Sequence, residues 1–271
     1  MPIPDEKLPL FLNDLIDRYG YDFTGYSEAS LLRRINRFMM RENIQNWTDL
    51  RIRVLSDADY FRYLVEEITV NVTEMLRDPL FYKTIREDVI PVLATYPFIR
   101  VWHAGCSTGE EVYSMAILLK EAGILHKSRL YATDINPGVI EKARSGIFPA
   151  SQIRKYSENY MQSGGKNDFS AYYTSNYSLA KFDEKLSEKM TFATHNLVAD
   201  SSFNEFQLIL CRNTLIYFNK KLQSHVLELF DRSLELLGFL ALGSKESLRF
   251  STIESKFRQA AAGQKIWRKV K

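Results

Sequence analysis

The sequence predicts an α/β fold: a doubly wound, mostly parallel sheet with an N-terminal all-α domain and a small inserted antiparallel β-subdomain. Three observations carry that expectation. Up to about residue 70 the apolar residues recur only at three- and four-residue steps. Beyond it, short apolar runs alternate with helical patterns, as in a parallel sheet covered on both faces. Between Phe148 and Lys189 a tyrosine-rich stretch breaks that alternation.

In chain order, Leu10, Leu12, Leu15, Ile16 and Tyr19 mark a first helix. Leu31, Leu32, Ile35, Phe38 and Met39 mark a second, and Tyr60, Tyr63, Leu64 and Ile68 a later one. "RDPLFYKTIREDVIPVL" continues the helical pattern. "IRVWHAG" then reads as a strand, "EEVYSMAILLKEAG" as a helix closed by Gly123, and "SRLYATDI" as a second strand. "PGVIEKARSG" is a short helix with proline in its first turn, where the missing N–H costs nothing. In the interrupting stretch, Phe169, Ala171, Tyr173 and then Tyr177 and Leu179 alternate around a Thr-Ser-Asn turn, which predicts a hairpin. "KMTFATHN", "FQLILCRN" and "GFLALGS" read as strands, with "KKLQSHVLELFDRSLELLG" as the helix between the last two. The expected division is a helical domain over 1–70, a linker over 71–84 that contributes to the ligand site, and a sheet domain over 85–271 with the insertion at about 150–188.

A chain of 271 residues, 45% apolar and 25% charged, can bury a full core. The run "LELLGFLALG" is too short to span a bilayer, and "MPIPDEKLPL" lacks the order of a signal peptide, so a cytoplasmic protein without membrane insertion is expected. Two cysteines, Cys106 and Cys211, at the ends of apolar strands read as buried free thiols. A net charge of +3 gives no basic stripe for nucleic acid. Local charge is more telling, since Arg33, Arg34, Arg37 and Arg41 lie among apolar residues at helical spacing.

In a doubly wound sheet the ligand binds where the first strand turns into its helix, and "AGCSTGEE" occupies that turn. Gly105 and Gly109 allow close backbone approach, as in a nucleotide loop. Yet Glu110 and Glu111 sit at the positive helix end that a pyrophosphate needs, and each opposes a phosphate by roughly 1 kcal/mol or more in a partly dry site. S-Adenosylmethionine fits better, having no phosphate and carrying a sulfonium and an ammonium. Asp134 ends the next strand, where an acid can accept both ribose hydroxyls. "NVTEMLRDP" supplies Arg77 for the methionyl carboxylate, with Asn71 and Thr73 as hydrogen-bonding groups.

Four segments in order resemble the chemotaxis receptor methyltransferases of the CheR type, S-adenosylmethionine-dependent protein-glutamate O-methyltransferases. "NVTEMLRDP" is similar to that family's N-x-T-x-F-F-R-D, and "WHAGCSTGEEVYSMA" to its W-S-A-G-C-S-T-G-E-E-P-Y-S-I-A. "YATDINPGVIEKARSGIF" is similar to its A-T-D-I-D segment and "LILCRNTLIYF" to its C-R-N-V-L-I-Y-F. The resemblance implies a class I, Rossmann-like methyltransferase domain. It implies cofactor contacts at Asn71, Thr73, Arg77, Gly105, the Glu110-Glu111 turn (Glu111 more than Glu110), Asp134, Asn196, Leu197, Asn213 and Thr214. It also implies that Arg77 and Tyr217 lie near the reactive methyl, with S-adenosylhomocysteine as product and no metal. The implied substrate is the acidic helical methylation region of a membrane chemoreceptor, faced by the N-terminal helices and guided by Arg33, Arg34, Arg37 and Arg41, with transient docking on receptor arrays. Some members grip a receptor C-terminal pentapeptide with the inserted β-subdomain; the Gly-Asp-Gly-Tyr type signal is weak here, so that contact is not assumed.

Beside that weak signal, two further departures stand out: Met75 and Leu76 replace the family's aromatic pair, and Val112 replaces its proline. The four histidines, His103, His126, His195 and His225, have no metal-ligand spacing and are expected to be structural. None is needed as a base, because a glutamate with a pKa of ~4.3 is already the nucleophile at neutral pH. Two other readings stand beside this one. One is a non-catalytic sensor or scaffold that binds S-adenosylmethionine. The other is a methyltransferase of another chemosensory pathway, or of amines or other small molecules, the amine version being weakened by "CRNT" where Asn/Asp-Pro-Pro-Tyr would be expected.

Overall fold

The computed structural model of the protein describes residues 7–69 and 72–271. Four helices come first: α1 Leu8–Tyr19, α2 Glu28–Arg41, α3 Trp47–Ser56 and α4 Ala58–Ile68. Side chains satisfy the free N–H groups at two of their starts. Asn46 accepts from the Asp49 N–H at the head of α3, and Asp57 accepts from Asp59 and Tyr60 at the head of α4. The apolar stripes of all four helices close on one cluster, in which Phe11, Leu15, Leu31, Ile35, Phe38, Leu50, Val54 and Leu64 are buried. Phe11 and Trp47 meet edge to face at 4.7 Å between ring centres, tying α1 to α3.

The linker follows, then α5 Pro79–Thr84, a π-turn over Ile85–Val89 and α6 Ile90–Leu93. The widening precedes Pro91, which has no N–H to donate back to Glu87 and needs room beside that carbonyl. Met75 and Leu76, which stand where the family has aromatics, are fully buried in the sheet domain's core. The Leu76 N–H donates to Ser114 Oγ at 2.9 Å and Asn159 Nδ2 donates to Met75 O at 2.9 Å, so hydrogen bonds seat the linker alongside apolar packing.

The central sheet has seven strands: β1 Ile99–Ala104, β2 Ser128–Asp134, β6 Met190–Thr194, β7 Phe206–Cys211, β8 Leu234–Leu242, β9 Phe257–Gln259 and β10 Ile266–Lys269. Their spatial order is β6-β2-β1-β7-β8-β10-β9. The first five are parallel neighbours, and β10 and β9 close one edge antiparallel. Helices α7 Glu110–Glu121, α8 Pro137–Ser145 and α11 Lys220–Ser233 connect them. Between α8 and β6 lie β3 Ile147–Pro149, α9 Ile153–Gln162, β4 Tyr173–Asn176, β5 Leu179–Phe182 and α10 Glu184–Ser187. Strands β3, β5 and β4 form a separate three-stranded antiparallel sheet. The expected α/β class, with its helical N-terminal part and inserted antiparallel sheet, is what the chain adopts.

Three local expectations are corrected. Helix α11 stops at Ser233, and "LELLG" is the first half of β8, with Leu234 paired to Phe206. Leucine and glutamate favour a helix only weakly, and pairing with the buried β7 outweighs that preference. In the insertion, Thr174, Ser175 and Asn176 belong to strand β4, and the turn is Tyr177-Ser178 with Tyr177 at φ +51°. Phe169 lies in a 3-10 turn rather than in the hairpin.

Candidate active site

Strand order reverses between β1 and β7, so connections leave this point toward both sheet edges and a crevice opens at the strands' C-terminal ends. A cavity of about 230 Å³ occupies it. The turn after β1 forms its floor and stays stitched to β2, because the Gly105 and Cys106 N–H groups both donate to Thr133 O, at 2.8 and 2.9 Å. Gly105 has φ +81°, and a Cβ there would stand 2.5 Å from Thr214 Oγ1, so only glycine lets the two strand ends approach this closely.

Around the cavity stand Thr73 and Arg77 from the linker, Gly105, Ser107 and Glu111 after β1, and Asp134 and Ile135 after β2. Asn196, Leu197 and Val198 follow from the loop after β6, and Asn213, Thr214 and Tyr217 from the loop after β7. Nearly every cofactor residue expected from the sequence therefore faces one space. Asn71 lies outside the described residues. Glu110 is the exception: it is 5% exposed, bonded to Thr108 Oγ1 at 2.6 Å and Tyr156 Oη at 3.4 Å, and it does not line the cavity. Adjacent helix positions point about 100° apart, so only one of two consecutive glutamates can face the ligand.

Asp134 is held by two main-chain donors, Ser107 N–H to Oδ2 at 2.9 Å and Asn136 N–H to Oδ1 at 3.0 Å. Burial pushes its carboxyl up and those N–H groups oppose the rise. A carboxylate has about four acceptor positions, so two remain for neighbouring hydroxyls. Glu111 is gripped from behind by His103 Nδ1 at 3.0 Å and Arg212 Nη1 at 3.4 Å. Burial favours its protonation, but His103 and Arg212 outweigh burial and hold the carboxyl below its ordinary value. Cys106 also lines the cavity; burial, with Asp134 and Glu111 beside it, raises its thiol well above the usual range, so it is no nucleophile at neutral pH.

Sequence reasoning missed three of these supports. Arg212, 4% exposed, spans Glu111 and Asp78 and lies 4.0 Å from the Phe81 ring centre, fixing the linker against β7. His103, expected to be structural, has that role at Glu111, a partner the sequence did not connect it to; a polar residue inside the apolar run of β1 is its only signal. Glu246, buried after β8, accepts from the Asn213, Ile216 and Gly243 N–H groups and so holds the loop that carries Tyr217. The arginines of α2 differ in exposure and pairing. Arg33, Arg37 and Arg41 are the exposed ones, Arg41 bonds Glu67 at 2.6 Å, and Arg34 is partly buried.

The donor set suits an adenosyl ligand with positive charge. Three carboxylates, Glu74, Glu111 and Asp134, line the space against two cations, Arg77 and Arg212, the latter already paired to Glu111 and Asp78, and Asn196, Asn213, Thr73 and Thr214 supply neutral polar groups. Ile68, Ile135, Leu197 and Val198 offer apolar wall. Ser107 Oγ and His195 Nδ1, both buried and lining the cavity, have no hydrogen-bond partner among the described residues. Fold and site thus define a nucleoside-binding α/β domain whose charge matches S-adenosylmethionine.

Comparison with known proteins narrows the class. Residues 71–266 match the family model described as CheR methyltransferase, SAM binding domain, and residues 6–69 match CheR methyltransferase, all-alpha domain. A Pseudomonas putida protein named as a candidate methyltransferase, Cher3, is 47% identical over 98% of this chain and 97% of its own length. The chemotaxis protein methyltransferase of Salmonella typhimurium is 30% identical over 84% of this chain and 82% of its own. Among solved structures, the N-methyltransferase NodS of Bradyrhizobium japonicum, in complex with S-adenosylhomocysteine, aligns with 72% of this chain and 71% of its own, at 12% identity and a TM-score of 0.35. The chain belongs to the CheR methyltransferase family and is an S-adenosylmethionine-dependent methyltransferase.

Proposed function

We propose that this protein transfers a methyl group from S-adenosylmethionine to glutamate side chains of membrane chemoreceptors, forming methyl esters and leaving S-adenosylhomocysteine. The observation that carries the reading is the convergence of Glu111, Asp134, Arg77 and Tyr217 on one cavity at the reversal of strand order. Asp134 would hold the ribose hydroxyls, Glu111 the cationic part of the donor, Arg77 the methionyl carboxylate, and Asn213 and Thr214 the neutral edges. The donor supplies an electrophilic methyl, whose bond to sulfur breaks as a carboxylate oxygen bonds to carbon. No proton moves, because a substrate glutamate is already ionised at neutral pH. Catalysis then rests on placing the carboxylate in line and excluding water, and Tyr217 stands on the cavity wall to orient it.

In this reading residues 1–70 face the receptor, 71–84 complete the cofactor site and 85–271 carry the transfer. The protein works on the cytoplasmic side of receptor arrays; among the described residues no helix is long and apolar enough to cross a membrane. A receptor C-terminal peptide at the three-stranded sheet is an accessory contact that the reading does not require. The test is incubation with labelled cofactor and chemoreceptor-bearing membranes, then treatment with base. Volatile methanol released from a receptor-sized band is the expected result. Base-stable label would mean N-methylation, and no label at all would leave a sensor.

A further inference from the structure

Arg34 is partly buried and already has partners. Its Nη1 donates to Ile68 O at 2.7 Å, and its guanidinium carbon lies 4.8 Å from the centre of the Tyr217 ring. Main-chain bonds surround this contact. The Ser27 N–H donates to Tyr217 O and the Asn219 N–H to Gly25 O, each at 2.8 Å, and residues 26 and 218 pair as an isolated antiparallel bridge. The Tyr26 and Phe218 rings meet at 5.0 Å beside it. Ser27 immediately precedes α2, so that helix begins on the loop that carries Tyr217. Ile68 ends α4, just ahead of the linker that carries Thr73 and Arg77. One guanidinium on α2 therefore touches two other segments of chain, the end of α4 and the loop that carries Tyr217.

We propose that Arg34 is a positioning residue, a clamp that fixes the Tyr217 ring and ties it to the end of α4, so that the substrate-facing helix and the transfer site keep one geometry. The inference rests on the reading of Tyr217 as lying beside the reacting groups. Guanidinium suits the role because it is flat and weakly hydrated, and can lie over a ring while donating in its own plane. Lysine keeps the charge but cannot do both. Glu246 and the Ser27 N–H hold the main chain of the Leu215–Tyr217 turn, and Arg34 is what lies against the Tyr217 ring itself.

Two measurements on the full chain test the clamp. Urea unfolding of Arg34→Met, Tyr217→Leu and the double variant should give losses that do not add, the double variant being about as stable as the weaker single one. Additive losses overturn the proposal whatever the activity. With receptor membranes, Arg34→Met should lower kcat by about tenfold while S-adenosylhomocysteine affinity and receptor KM stay within about twofold, and Arg34→Lys should recover part of kcat. A raised receptor KM with kcat intact would make Arg34 a docking charge and overturn the clamp. Wild-type protein that releases no methanol would sink the esterification reading alone, because the unfolding cycle still decides whether Arg34 holds Tyr217.

Discussion

Asp134 and Glu111 face the same cavity with opposite shifts. Asp134 has no cation among its hydrogen-bond partners, so burial dominates and raises its carboxyl; Glu111 has His103 and Arg212 and is lowered. Replacing Asp134 with Ala should weaken S-adenosylhomocysteine binding by roughly 1–3 kcal/mol, the scale of one lost acceptor in a buried site. Calorimetry checks it, and unchanged affinity would remove the ribose assignment. For Glu111 the sign follows from its depressed value. Its stabilising contribution is fully present above the ordinary value of 4.5 and is lost as pH falls through the lower folded value. Glu111→Gln should accordingly flatten the fall of stability with acidification below that pH. Identical acid limbs in urea titrations of the two proteins would show that His103 and Arg212 do not hold the charge.

At the scale of elements, the decisive part is the short loop after β7. It carries Asn213 at φ +61°, Thr214 and Tyr217, and Glu246 holds it through the Asn213 and Ile216 N–H groups. Glu246→Ala leaves those donors and that of Gly243 without their acceptor, and should destabilise the protein by about 1–3 kcal/mol. The same change should cost turnover more than it costs affinity, since Asp134 and Glu111 stand on other elements. A variant with full turnover in the base-release assay would show that the loop holds itself. Much of this level was legible in the sequence. The β1 turn, Asp134 at the next strand end and Pro137 at the start of α8 follow from local pattern, and the structure has them there. The extent of α11 was not legible, because "LELLG" carries helix-forming residues and only the neighbouring β7 makes it a strand.

For the whole molecule, a net charge of +3 is too small to steer anything by itself, so guidance toward an acidic receptor helix has to come from local charge. Arg37 is well placed: its side chain is 78% exposed and its contact with Glu67 is long, at 3.9 Å. Arg37→Glu should slow receptor methylation by about threefold or more at low salt and lose that effect near 1 M salt, where the screening length is ~3 Å. Equal rates at low salt would take α2 out of the docking surface. Arg41, bound to Glu67 and Glu42, should matter less, and Arg34 should act through Tyr217 rather than through the receptor.

The sequence by itself determined the alternation of strands and helices, the glycine turn with its acids, the buried thiols and the motifs of the family. These are local: periodicities of two and 3.6 residues, turn chemistry, and residues a few positions apart. The fold alone decided that Arg212 reaches Glu111 across 101 residues of chain and that Arg34 reaches Tyr217. A side chain's type is written locally, but its partner is set by packing between segments far apart in sequence. Charge pairing and ring contacts depend on that partner, so the tertiary structure assigns roles that the sequence leaves open.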